Sequence, residues 1–188
     1  MSILNLRRVP DRHELEARFT AFYRAHRADA LRFARFRAAG CDAEALVVDA
    51  FLLAWQRLAA SGELSPGWLY QVLRNKIGDY YRSASRRTAP VSPEELPDDA
   101  WFPDPADDLA CRADVRRALR SLSTAHAEAL LLAYWCDLSG AEAARALGLR
   151  EGAFRARLLR AKRAFAEAYD GNPVAEREGV LAWIASSD

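Results

Sequence analysis

From Asp11 onward, apolar residues return every three or four positions and never alternate over a strand-length run, which predicts helices throughout. Leu15, Phe19, Phe22 and Tyr23 begin the first stripe. It continues through Leu31, Phe33 and Phe36 to about Ala39, with a break predicted near His26. Gly40-Cys41-Asp42 stops it, and Asp42 is placed to cap a second helix from Ala43 to about Ala60. The apolar side of that helix is Leu46, Val47, Ala50, Phe51, Ala54, Trp55 and Leu58. Ser61–Ser65 reads as a loop, and Pro66 suits the first turn of a third helix running from about Gly67 to Ser85. Trp68, Leu69, Val72, Leu73, Ile77 and Tyr80 form its stripe.

The pattern resumes after residue 106. One helix is predicted over about Asp107–Arg120, and Ser123 or Thr124 caps the next, which carries Leu130, Leu131, Leu132, Tyr134 and Trp135. Ser139 and Glu142 then make an S-x-x-E capping box before a short helix that ends near Leu147. Gly148 breaks it where a positive φ is cheapest, and a further helix starts near Glu151 and runs past Arg163. This is the layout of a helix-turn-helix, with Ala143, Leu147, Leu149, Phe154 and Leu158 facing a core and Arg155, Arg157, Arg160, Lys162 and Arg163 left outside. Asp170-Gly171-Asn172-Pro173 ends the last helix, and the tail 171–188 holds Val180, Leu181, Trp183 and Ile184 at the spacing of one more short helix. The fold class is therefore all-α: two small helical domains, 11–87 and 107–170, joined by 88–106.

Charge sharpens these boundaries. The net charge of +1 hides a division: residues 1–87 hold 15 basic and 9 acidic residues, 88–111 hold 7 acids and no Lys or Arg, and 112–188 hold 12 and 10. Residues 88–106 also hold five prolines, so an extended linker is expected there, reaching at most about 60 Å. Trp101 and Phe102 within it are expected to dock on a surface rather than stay solvated. Basic residues are almost all Arg, with only Lys76 and Lys162 as lysines, a bias that abundant Ala ties to a GC-rich coding sequence rather than to function.

The residues give little purchase to enzyme chemistry. His13, His26 and His126 are isolated; Glu14, Glu44, Asp49 and Glu128 are scattered over helices without metal-ligand spacing. There is no P-loop, no Gly-rich dinucleotide turn and no nucleophile elbow. Cys41, Cys111 and Cys136 are odd in number and far apart, indicating neither disulfides nor a zinc site. The N-terminus has no apolar signal core and no run approaches a membrane span, so a reduced, cytoplasmic protein without membrane insertion, catalytic residues, metal or cofactor is expected.

Nucleic acid fits better. The basic helix from Glu151 can lie in a major groove, its first residues at base edges and its arginines at phosphates. The third helix combines Trp68, Tyr70, Tyr80 and Tyr81 with a basic C-terminal half, the pairing of stacking surface and positive charge that unpaired DNA requires. Read alone, the residues leave open a stand-alone helix-turn-helix regulator, or a protein-interaction adaptor that keeps the fold without binding DNA.

At this point the chain resembles a bacterial RNA polymerase sigma factor of the sigma-70 superfamily, in the extracytoplasmic-function (ECF) group, over roughly 15–87 and 107–169. AEALVVDAFLLAW (43–55) and WLYQVLRNKIGDYYR (68–82) are similar to region 2 stretches; ALRSLSTAHAEALLL (118–132), with the helix-turn-helix and R-A-K at 160–162, is similar to region 4. The resemblance implies a non-catalytic factor that binds the polymerase core enzyme at the β′ clamp and β flap, opens the promoter −10 element and reads the −35 element as duplex DNA. It assigns Glu44, Asp49, Phe51 and Trp55 to the core enzyme. It assigns Ser61, Gly62, Glu63, Trp68, Asn75, Lys76, Tyr81 and Arg82 to the −10 element, and Arg150, Glu151, Arg155, Arg157, Arg160 and Lys162 to the −35 element. An anti-sigma factor is a partner that the family implies and no residue here shows. Ala45, Val48, Ser123, Ala127 and Ala153-Phe154 depart from the family pattern, Ala153 standing where a hydroxyl is usual.

Overall fold

A computed structural model describes residues 11–38, 41–84 and 109–170. The expected linker 88–106, with Trp101 and Phe102, and the tail 171–188 lie outside the described residues. Within them the chain is helical: α1 (Arg12–Arg37), α2 (Ala43–Ser61), α3 (Pro66–Ala84), α4 (Leu109–Ser121), α5 (Thr124–Leu130), α6 (Gly140–Leu147) and α7 (Glu151–Asp170). A π-helical turn, Leu131–Trp135, continues α5.

The helix ends follow from local chemistry. Asp42 caps α2 by accepting from the Ala45 amide at 2.9 Å, and Ser123 accepts from the His126 amide at the start of α5. Ser139 and Glu142 form the complete reciprocal box at the start of α6. Gly148 takes φ +66° and sends its N–H to the Ala144 and Arg145 carbonyls, closing α6 so that α7 can start three residues later. Asp11, by contrast, makes no side-chain cap bond. The break expected near His26 is absent, because α1 has no Gly or Pro to interrupt it and the His26 ring packs on Phe22, 4.6 Å between centroids.

Helices α1–α3 enclose a first core. Phe51 is its hub, with Tyr23 edge-on at 4.8 Å and Phe19 at 6.4 Å, and Leu58, Leu69, Leu73 and Ile77 complete it. Helices α4–α7 enclose a second around Leu119, Leu132, Phe154, Phe165 and Tyr169. The π-turn bonds the Cys136 amide to the Leu131 carbonyl at 2.9 Å, and Asp137 then adopts φ +47°, turning the chain back into α6.

The two cores are continuous through a seam between α1 and α3 on one side and α5 and α6 on the other. Gly67 makes the seam possible: a Cβ there would lie 2.6 Å from the Glu142 carbonyl oxygen. Tyr70 is fully buried, edge-on to Phe33, and burial raises its phenol well above the ordinary range and pushes the neighbouring Cys136 thiol to about 12. Arg145 donates to Ser65 Oγ at 3.0 Å. Glu128, 1% exposed, receives Arg37 Nε at 2.7 Å and Arg74 Nε at 3.2 and 3.3 Å.

Two outcomes follow for stability. Ser139→Ala removes the cap acceptor and is expected to lower unfolding free energy by about 1 kcal/mol in urea titrations, with Ser139→Asp retaining most of it. Burial lowers the pKa of His26 below its ordinary 6.5, against the opposing charges of Asp29 and Glu142. The unfolded chain therefore takes up a proton that the folded chain resists, and stability falls as pH drops below 6.5 toward the depressed folded value. Asp29 acts with the opposite sign, since burial raises its pKa and its protonation on further acidification relieves the fold. The urea midpoint of the native chain should thus fall more between about pH 7.5 and about pH 5.5 than that of His26→Gln.

Candidate nucleic-acid interface

Helix α7 carries the first candidate surface. Phe154, Ala161, Phe165 and Tyr169 are buried and anchor it on α4–α6, so its opposite side faces solvent. Arg150, Glu151, Arg155 and Arg160 are exposed and Arg157 is half-buried. Arg155 reaches back one turn to Glu151 at 2.5 Å, which holds its guanidinium over the start of the helix. Lys162 is drawn sideways, its ammonium 5.4 Å from the centroid of Tyr134. Gly152, Ala153 and Ala156 are exposed and short, so the backbone of the first turns is unobstructed. Leu159 is 52% exposed among these arginines, a feature sequence reasoning missed because the adjacent Leu158 satisfied the helical period.

The second surface is the loop 61–65 with α3. Gly62 closes α2, and its carbonyl accepts from Arg18 at 2.8 Å. Ser61 Oγ donates to the Arg57 carbonyl and accepts from the Glu63 amide, fixing the loop's first turn. Trp68 is half-buried beneath the Arg57 guanidinium, 5.0 Å from ring centroid to Cζ. Arg18, Arg57, Ser65, Trp68 and Arg145 line a cleft of about 440 Å³ here, and Arg145 comes from α6 in the other helical block. Sequence reasoning missed Arg18, Arg57 and Arg145 because no period or motif links them.

Trp68, Asn75 and Arg82 follow one another at seven-residue spacing and so share a face of α3. Arg82 pairs with Asp79, and Tyr81, 41% exposed, donates its hydroxyl to the Arg37 carbonyl at 3.1 Å. Lys76 is half-buried and bonded to Asp49 at 2.8 Å. Tyr70 does not join this surface: the position facing Phe33 and the seam buries it completely.

Helix α2 presents a third surface. Val48 and Leu52 are 62% and 54% exposed, one turn apart, with Leu53 beside them. Glu44 is exposed and paired with Arg35 at 2.6 Å; Asp49 is exposed, and Trp55 is half-buried edge-on to Phe19. Phe51 differs from expectation. It is 3% exposed, because residues 47, 51, 54 and 58 form the stripe that faces the core, so it supports this surface from beneath and cannot touch a partner.

Among the described residues, no group of three or more His, Cys, Asp or Glu is arranged to hold a metal ion, and no helix is long and apolar enough to cross a membrane. Burial raises the pKa of both Cys41 and Cys136, which keeps these thiols protonated and unreactive.

Comparison with known proteins extends this geometry. Residues 112–165 match the family described as Sigma-70, region 4. The chain is 33% identical over 150 residues to the ECF RNA polymerase sigma factor SigL of Mycobacterium tuberculosis, covering 77% of this chain and 84% of that protein. It is 30% identical over 142 residues to the ECF RNA polymerase sigma factor BldN of Streptomyces coelicolor, covering 72% and 54%. Its fold superposes with a TM-score of 0.65 and 25% identity on the sigma factor RpoE of Bartonella quintana, crystallised with the anti-sigma factor NepR, over 81% of this chain and 97% of that one. By these matches the chain belongs to the ECF RNA polymerase sigma factors, which direct transcription initiation.

Proposed function

We propose that the two helical blocks divide promoter recognition between them. The block 107–170 reads the −35 element as duplex, α7 lying in the major groove with Arg155 at base edges and Arg150, Arg157 and Arg160 at phosphates. The block 11–87 engages the opened −10 strand through the loop 61–65 and the α3 face of Trp68, Asn75 and Arg82. It docks on the β′ clamp of the polymerase through α2, where Glu44 and Asp49 flank the apolar pair Val48 and Leu52. Region 4 also meets the β flap, and an anti-sigma factor of the kind seen with the Bartonella relative is its regulator. The protein acts by binding and positioning, with no catalytic step of its own.

The observation that carries this reading is the α7 surface: exposed arginines around a backbone left bare by Gly152, Ala153 and Ala156. Ala153 supplies no hydroxyl for a phosphate, so recognition leans on the arginines. Arg155→Ala is expected to cost about 1–3 kcal/mol of discrimination, roughly a 5- to 160-fold loss of transcription from −35-dependent promoters. Arg157→Ala should weaken duplex binding across sequences and lower the salt slope by about one. Both variants should still co-elute with core polymerase. Unchanged transcription from such promoters would remove α7 from the role of reader.

A further inference from the structure

We infer that Leu159 is a base-reading residue of α7: its side chain packs on the 5-methyl group of a thymine in the −35 duplex and so separates thymine from cytosine at one position. The inference rests on the assignment of α7 to the major groove and adds to it a contact that carries no charge.

Leu159 stands out by its place. Among the described side chains of α4–α7 it is the large apolar one left exposed, at 52%. A single exposed leucine on an ordinary surface calls for no explanation. This one lies on the reader side of α7. It follows Arg155 by one turn and precedes Arg163 by one turn, and all three are exposed along the same ridge. The core side of the helix is set by Phe154, Ala161 and Phe165, and Leu158 is the leucine that leans toward it, half-buried. Gly152 and Ala156, exposed on the same side as Leu159, are short. They let the helix come close to the floor of a groove, which brings Leu159 to base edges rather than to phosphates.

The chemistry of the groove leaves one partner. Base edges there present hydrogen-bond donors and acceptors, apart from the methyl group of thymine. A leucine placed on a donor or acceptor strips its water and returns no hydrogen bond. Placed on the methyl, it buries apolar surface on both sides. Cytosine has only a hydrogen at that carbon, so the contact tells T·A from C·G through one methyl group. Arg155 supplies a register. Four residues of α-helix advance about 6 Å, close to two base-pair steps of about 3.4 Å each. The thymine therefore lies within about two base pairs of the base that Arg155 meets.

Deoxyuridine provides the test, since it keeps every hydrogen bond of thymine and lacks only the methyl. Holoenzyme reconstituted from the full chain and core polymerase first selects duplexes from a pool randomised over about ten base pairs, one helical turn. Each thymine of the selected sequence is then replaced in turn by deoxyuridine. At one thymine the native holoenzyme is expected to lose about fourfold in affinity, the contribution of one buried methyl-sized group. Leu159→Ala should bind the thymine duplex at least about fourfold more weakly than native and lose nothing further with deoxyuridine at that position. Leu159→Met, which keeps an apolar tip, should retain the deoxyuridine penalty. Leu159 is exposed and alanine suits a helix, so helical circular dichroism should be unchanged in Leu159→Ala.

A native holoenzyme indifferent to deoxyuridine at every thymine would overturn the proposal, as would equal penalties in native and Leu159→Ala. Weaker co-elution of Leu159→Ala with core polymerase at unchanged duplex affinity would also overturn it, making Leu159 a protein contact. Arg155→Ala and Arg157→Ala on the same duplex tell this failure from that of the reader helix. If they lose affinity while Leu159→Ala does not, only the methyl contact falls. If none of the three changes binding, α7 is not the reader.

Discussion

A carboxylate leaves water only where enough positive charge and hydrogen bonding meet it, and Glu128 satisfies that condition with groups from across the chain. Its own helix supplies neither partner. Arg37 comes from the end of α1 and Arg74 from the middle of α3, so Glu128 is at ease only while the two helical blocks are together. Removing one member of a buried pair typically costs about 3–5 kcal/mol, and the partial exposure of both arginines lowers that figure here. Such an interaction ties the two helical blocks together by charge as well as by packing.

Each block has its own aromatic hub, Phe51 in one and Phe154 with Tyr169 in the other. Across the contact the apolar core is continuous, and polar and backbone contacts add to it: Ser65 with Arg145, Gly67 with Glu142, Tyr70 near Cys136.

Much of the fold was legible in the sequence because it is written in short-range signals. Asp42, Pro66, Ser139 and Gly148 act within a few residues of themselves, and the 3.6-residue period reports burial directly. The capping box and the turn glycine placed α6 and α7 to within a residue. The seam was not legible. Glu128 and its two arginines are 91 and 54 residues apart, and nothing about an isolated Glu on an apolar helix signals that distant guanidiniums await it. Gly67 read as an ordinary helix-start residue, and Tyr70 as one aromatic in a basic helix, because the neighbour that buries each belongs to the other block. Phe51 shows the reverse error: its period marked it as core, and family resemblance drew it toward a surface it does not reach. The π-turn after α5 left no periodic trace either, since one extra residue in a turn shifts a stripe by less than a pattern of mixed Leu, Tyr and Trp resolves.

The burial of Cys136 has a kinetic meaning. A thiol with a pKa near 12, enclosed between the π-turn and Tyr70, does not react with an alkylating reagent from where it stands. It becomes reactive only when the packing around it opens. The rate at which it is consumed thus counts those openings, without added label and readable by peptide mass.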